Sequence, residues 1–416
     1  MKRAKTLLLV VTTLLSTDFV FAQSWQLTSA PTVTDTIFIA SSADGTTLAA
    51  VGDNVSGVLV STNSGATWTL NSLSNQNQYP VMHSVACSAD GSKVVAADFW
   101  MGIYVSTNTG TTWIQTGALG TSYIASLASS ADGTKMVATV GQHGSNVGPI
   151  YASTNSGITW TLTGAPTNYW ISVASSADGS KLVAATFPPG ERTGLIYTST
   201  NSGMTWVTTS APGNSWTCVA SSADGARLIA ASGPDTSSDF IPPIYTSTDS
   251  GATWITNNMP GKFWQGVASS ADGNRLVAVA QGGIIYTSTN CGATWILNSF
   301  PDPSAVLWSV ASSADGGKLA AGVNGVFSGI YVDDGGGIYT CQTIPAPVLN
   351  ITPSSGNLAL SWIIPSTNFG LQQNSDLTTT NWMDVTNAPT LNLTNLQNQV
   401  ILSPPGSNVF YRLKTP

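Results

Sequence analysis

Seven copies of Ser-Ala-Asp-Gly, six of Ser-x-Asn/Asp-x-Gly-x-Thr-Trp and no stretch of helical periodicity predict an all-β chain: a seven-bladed β-propeller followed by a small β-sandwich. The aspartates of the first motif are Asp44, Asp90, Asp132, Asp178, Asp224, Asp272 and Asp315, at successive spacings of 46, 42, 46, 46, 48 and 43 residues. A period of this size suits one four-stranded blade.

The chain opens with Lys2, Arg3 and Lys5 before an apolar run from Leu7 to Leu15, and Val20-Phe21-Ala22 ends in a small residue. This pattern predicts a signal peptide over residues 1-22, cleaved after Ala22, and hence a secreted or cell-surface protein. The run is short of the roughly 20 residues needed to cross a bilayer. No later segment is apolar enough to span, so no membrane span is expected in the mature chain.

Within a unit such as 170–206, Ile171 to Ala174 alternates into the Asp178-Gly179 turn and Lys181 to Ala185 returns as a second strand. After a variable loop, Ile196 to Ser199 forms a third strand, Thr200-Asn201-Ser202-Gly203 turns, and Thr205-Trp206 opens a fourth. The turn has a physical rationale. An Asn or Asp side chain bonds its own backbone, Gly accepts a left-handed conformation, and the indole offers a large apolar body. The six copies run Ser61–Trp68, Ser106–Trp113, Ser153–Trp160, Ser199–Trp206, Ser247–Trp254 and Ser288–Trp295.

This hairpin resembles the Asp-box, or BNR repeat, of bacterial sialidases, sortilin-type receptors and photosystem II assembly factors. The resemblance implies a propeller over residues 23-344 and, from the receptors and assembly factors, peptide or protein ligands. Five copies carry Asn and only Asp249 keeps the acid, so the turn reads as neutral turn chemistry rather than a metal or catalytic site. Unit seven departs from the pattern, with Val332-Asp333-Asp334-Gly335-Gly336-Gly337 in place of the box. The segment Ser24-Trp25-Gln26-Leu27-Thr28-Ser29-Ala30-Pro31 matches Thr159 to Pro166, so the N-terminus is expected to supply the missing fourth strand and latch the ring. The alternative is that Gly337 to Thr343 forms that strand and leaves Trp25 supernumerary.

From Pro345 the repeat stops. Residues 345-416, with Leu358 to Trp362 alternating and a terminal Val409-Phe410-Tyr411-Arg412-Leu413, resemble a fibronectin type III-like module.

Charged residues make up only 8% of the chain and the net charge is -7, with no cluster of Lys or Arg, which excludes nucleic acid and anionic membrane as partners. Cys87, Cys218, Cys291 and Cys341 fall at different repeat positions, which favours small substitutions over a disulfide framework, and no spacing suits zinc. The loops holding Asp235, Asp239, Asp333 and Asp334 carry oxygen donors suited to calcium, but exposed loop aspartate is the commoner explanation, so no cofactor or metal is expected.

In a propeller the Asp-Gly turns and the boxes share one face, and the variable loops share the other. The variable face carries Asp53, Phe99-Trp100, Gln142-His143, Glu191-Arg192 and the stretch Pro234 to Pro243. Seven to nine residues before each Asp-Gly aspartate stand His83, Tyr123, Trp170, Trp216, Trp264 and Trp308. Tyr123, the four tryptophans and Trp100 are the candidate ligand-binding residues, as a partial aromatic ring suited to stacking on sugars or an apolar peptide patch. The competing reading packs these rings between blades.

The sialidase chemistry implied by the resemblance is not supported. Such enzymes clamp a carboxylate with three arginines, whereas Arg227 and Arg275 share a repeat slot with Lys93, Lys135, Lys181 and Lys318 on the turn face and leave Arg192 alone. A glycoside hydrolase would need two carboxyl groups about 5 to 9.5 Å apart, for which Glu191 with Asp98, Asp53, Asp235 or Asp239 are candidates. A polysaccharide lyase would use His143, His83 or Tyr123 with Arg192. The leading expectation is a monomeric binding protein for a polysaccharide or an extracellular protein, with an enzyme second and an envelope scaffold third.

Overall fold

The structure, a computed structural model, describes residues 25–31, 36–52, 55, 57–73, 82–98, 102–116, 123–141, 147–188, 193–233, 242–257, 259–324, 336–342, 349–355, 357–363, 370–376, 381–392, 397–403 and 409–414. All regular elements among them are strands, gathered into seven four-stranded antiparallel sheets and two further sheets.

Each of the first six sheets runs inward to outward in sequence order. Trp170–Ser175 pairs with Leu182–Thr186, which pairs with Ile196–Ser199, which pairs with Val207–Thr208. Second strands such as Leu182–Thr186 and Leu228–Ser232 are buried along their whole length. They are runs of Val, Leu, Ile and Ala because each is covered on both faces by a neighbouring sheet. The outermost strands are short and exposed, as at Thr161–Leu162.

The seventh sheet breaks the order. Its outer strand is Gln26–Leu27, with Gln26 opposite Thr340 and Leu27 opposite Tyr339. Ile338–Gln342 is therefore the third strand, and the alternative of a self-contained last blade is overturned. Trp25 is buried against Val277, Ile285, Leu307 and Cys341, in the slot that a box tryptophan fills at other seams. The first strand of the described chain and the last strand of the repeat region are thereby joined in one blade.

The constant Ser-Ala-Asp-Gly turns close the ring. The N–H of Ala43 donates to the carbonyl of Ala89, Ala89 to Ala131, Ala131 to Ala177, Ala177 to Ala223, Ala223 to Ala271, Ala271 to Ala314 and Ala314 back to Ala43, all over 2.7–2.8 Å. The seven alanine side chains form their own cluster. In the same turn Ser176 Oγ donates to Asp178 Oδ1 at 2.6 Å, and the N–H groups of Ser180 and Lys181 donate to Asp178 Oδ1 and Ser176 Oγ. Burial pushes the Asp178 carboxyl up, but the Ser176 and Ser180 bonds and the Lys135 charge outweigh it and hold it at about 2.

Six of the seven turns are followed by a basic side chain, Thr47 taking its place in the first blade, and in the second, third and fifth blades this side chain is tied to the next turn. Lys93 Nζ donates to the Asp132 carbonyl at 2.8 Å, Lys135 to that of Asp178 at 2.9 Å, and Arg227 to that of Asp272. Its stem covers the next blade's turn glycine, where φ is +66 at Gly179 and an added Cβ would lie 2.8 Å from Lys135 Cδ. Each blade is thus stitched to the next.

The two further sheets pair Asn350–Ser354, Asn357–Ile363, Gln397–Leu402 and Thr390–Asn392 in one, and Met383–Asp384, Gly370–Asn374 and Phe410–Lys414 in the other. Leu360, Trp362 and Val400 of the first meet Leu371 of the second in a shared core, as in a small sandwich.

Candidate functional site

The innermost strands converge on a central channel whose two ends differ. At the turn end the wall is made of alanine from every blade, with serine from six of them and Cys87 from the second, around a cavity of about 160 Å³. At the loop end it widens to about 810 Å³. That mouth has room for a ligand.

A bulge in the innermost strand decides which side chains face the mouth. The register shifts between Met82 and Ser84, Ile124 and Ser126, Trp170 and Ser172, Trp216 and Cys218, Trp264 and Gly266, and Leu307 and Ser309. The extra residue in each case is His83, Ala125, Ile171, Thr217, Gln265 or Trp308, and all six line the cavity together with Phe38 of the first blade. Re-aiming one side chain in this way is the usual effect of a β-bulge.

The residue before the bulge is buried instead, although Ile124 and Trp216 still border the cavity. Trp170, Trp216 and Trp264 have no accessible surface. They lie edge-on to Tyr197, Tyr245 and Tyr286, with ring centroids 5.1, 5.3 and 6.0 Å apart. The indole N–H of Trp216 donates to the Gly194 carbonyl and that of Trp264 to the Pro242 carbonyl, each 3.0 Å away. The expected aromatic ring at the mouth is therefore corrected: these three indoles pack between blades, as Met82, Ile124 and Leu307 do in the same slot. Offsets of seven, eight and nine residues had merged two side-chain directions, because one step along a strand reverses the side.

Of the expected ring, Trp308 lines the mouth, and His83 stands beside Phe38 with ring centroids 5.7 Å apart. Tyr123 is half-buried just ahead of the strand and is not among the residues lining the cavity. Asp98 is buried at the end of its strand, opposite Met82 and Gly102, and its charge adds to burial in raising the Tyr104 hydroxyl. It does not line the mouth as a general acid would. Asp53, Trp100, His143, Glu191, Arg192, Asp235, Asp239, Asp333 and Asp334 lie outside the described residues.

The mouth is braced by hydroxyl bridges between blades. Ser84 Oγ accepts the Leu127 N–H at 2.9 Å, Ser126 that of Val173 at 3.2 Å and Ser172 that of Val219 at 3.1 Å, while Ser309 Oγ donates to the Ile37 carbonyl at 2.7 Å. Cys218 takes the serine's place in the fifth blade, and burial pushes its thiol up to about 12. The four cysteines are unpaired. No group of three potential metal ligands occurs among the described residues.

The described residues lining the mouth include no Asp, Glu, Lys or Arg. One arc runs from Phe38 through the His83 imidazole to the apolar Ala125, Ile171 and Phe187. Another, Thr217, Gln265 and Trp308, carries polar atoms, and no hydrogen bond among the described residues engages the Gln265 amide or the Trp308 indole. Such a wall can hold an uncharged segment through apolar contact and a few directed hydrogen bonds.

The sequence matches no protein-family model and no curated protein. The fold, by contrast, is similar to solved structures. YCF48 bound to a D1 peptide is 14% identical with a TM-score of 0.57, over 78% of this chain and 96% of that one. YCF48 from Cyanidioschyzon merolae is 15% identical with a TM-score of 0.56, over 77% and 98%. A chain of the mitotic checkpoint complex is 12% identical with a TM-score of 0.59, over 83% and 99%. At these identities the likeness concerns architecture alone, and with the sheet topology it establishes this chain as a β-propeller.

Proposed function

We propose that this protein binds an uncharged, extended segment of a peptide or protein in the mouth of its central channel. The observation that carries this reading is the cavity lined by Phe38, His83, Ala125, Ile171, Thr217, Gln265 and Trp308, whose described lining holds no Asp, Glu, Lys or Arg. These bulge positions change identity from blade to blade, whereas the turn end repeats one motif. A repeat scaffold that varies only at one mouth has the form of a recognition surface on a constant frame. The YCF48 structure with its bound D1 peptide shows that a propeller of this architecture can take a peptide. We further read the protein as exported after cleavage at Ala22, with Asp-box turns, a propeller over residues 23-344 and a fibronectin type III-like module over 345-416 that serves as a second attachment point.

The test is a pair of arrays, one of uncharged extended peptides and one of polysaccharides, probed with the mature chain and with Trp308→Ala, Gln265→Ala and Trp216→Ala. Peptide retention lost in the first two variants, and kept by whatever fraction of Trp216→Ala remains folded, supports the reading. Retention confined to polysaccharides would transfer the mouth to a glycan, and release of reducing or unsaturated ends abolished by Glu191→Gln would make the protein an enzyme. Either result defeats the peptide assignment, as does retention on neither array.

A further inference from the structure

The seams between blades are repeats of one another, and this allows one seam to be measured against two others. Between the third and fourth blades the space bounded by Lys135, Ser153, Gly179 and Ser202 is about 20 Å³. Between the sixth and seventh, the space bounded by Arg275, Ser288, Gly316 and Leu319 is about 30 Å³. The corresponding space between the seventh and first blades, bounded by Lys318, Thr340, Gly45 and Ser64, is about 470 Å³.

The cause is the way the ring is closed. In the other blades the third strand runs through the box turn into the fourth, and that turn fills the foot of the blade. In the seventh, the third strand ends at Gln342 and the fourth arrives separately as Gln26–Leu27, so no box turn joins them. The exchange leaves a pocket of ligand-binding size, since small-molecule sites are typically about 300 to 1,000 Å³.

Its lining has a definite chemistry. Gln26, Thr28, Ser29, Asn63, Thr340 and Gln342 present amides and hydroxyls around the buried Leu48 and Leu319. Lys318 is the only charged residue in the wall among the described residues. Its ammonium donates to Ser64 Oγ at 3.1 Å. The nearby Asp44 carboxylate is occupied by its own turn, accepting from Ser42 Oγ at 2.6 Å and from the Thr46 N–H at 2.9 Å. Burial lowers the Lys318 ammonium from its ordinary value while Asp44 and Asp315 raise it, so an incoming anion would find a cation short of solvation.

We infer that the closure seam is a second binding site, independent of the channel mouth, for a small hydroxylated anion of the sugar-acid class, with its carboxylate on Lys318 and its hydroxyls on the surrounding amides and hydroxyls. The probe is D-glucuronate, with D-glucose as the uncharged control, titrated into the mature chain and followed by ligand-observed NMR. D-Glucuronate binds and D-glucose does not compete. Lys318→Met keeps the stem over Gly45 and weakens binding roughly tenfold or more, the worth of one charge-assisted hydrogen bond.

Ala66→Trp provides a variant that leaves Lys318 intact. Ala66 is exposed on the pocket rim, and Ile158 and Met204 occupy the same turn position elsewhere with 62% and 72% exposure. This variant fills the pocket and also loses binding. Lys135→Met, at the 20 Å³ seam, leaves binding unchanged. No binding of D-glucuronate, binding indifferent to Lys318→Met and Ala66→Trp, or equal loss in Lys135→Met would overturn the site. None of these outcomes bears on the peptide arrays.

Discussion

The two ends of the central channel are built from the same seven strands and obey opposite rules. At the turn end, every blade contributes the same alanine, because each N–H and carbonyl there is committed to the neighbouring blade and the side chains meet in one cluster. At the mouth, the bulged residue is free of ladder duties and is imidazole, methyl, sec-butyl, hydroxyl, amide or indole in turn. Geometry is kept at one end and chemistry varied at the other. A backbone girdle built on one repeated motif leaves the mouth free to change without loosening the ring.

The sharpest way to break this comparison sets two tryptophans one strand position apart against each other. Trp216→Ala removes a side chain with no accessible surface and is expected to cost about 3 to 5 kcal/mol in denaturant unfolding. Trp308→Ala, in a half-buried ring on the channel wall, is expected to cost about 1 kcal/mol. Equal costs would mean that the mouth is core and not surface.

Gly179→Ala probes the turn end. It places a side chain at φ +66 and 2.8 Å from Lys135 Cδ, so a loss of about 1 to 3 kcal/mol is expected. A neutral result by thermal unfolding would show that the stitch between blades is slack.

The smallest effect concerns acid. Asp90, Asp132, Asp178 and Asp224 are held below 3.8, with Asp178 at about 2, by hydrogen bonds of their turns that outweigh burial. The folded turn therefore binds fewer protons than the unfolded chain in this range. Its contribution is fully present above 3.8 and is lost as pH falls through about 2. Solvent screening of these exposed groups keeps the effect modest, and the buried Asp315, which burial pushes up, opposes it. Unfolding midpoints flat from pH 5 to pH 2, in steps chosen to bracket the Asp178 value of about 2, would remove the turns from the stability of the ring.

Much of the frame was legible in the residues. The serine, aspartate and glycine of each turn act locally, so their spacing reveals seven units without any knowledge of contacts. The likeness of Ser24–Pro31 to Thr159–Pro166 likewise announced the borrowed strand, because a fourth strand keeps its pattern wherever it is attached. The direction of the tryptophans was not legible. A bulge is a property of two strands in register, and His83 and Trp216 differ by one place in a feature that neither strand shows alone.

What the sequence by itself determined is the repeat and the strand order within a blade, which follow from short-range turn chemistry and period-two alternation, while closure by the N-terminus was one of two alternatives until the pairing of Gln26 with Thr340 decided it. Tertiary structure alone decided which inner-strand residues face the channel, why the turn carries alanine, and where the ring is left open at its seam. Each of those depends on a neighbouring blade, and the space between two blades belongs to neither one's sequence.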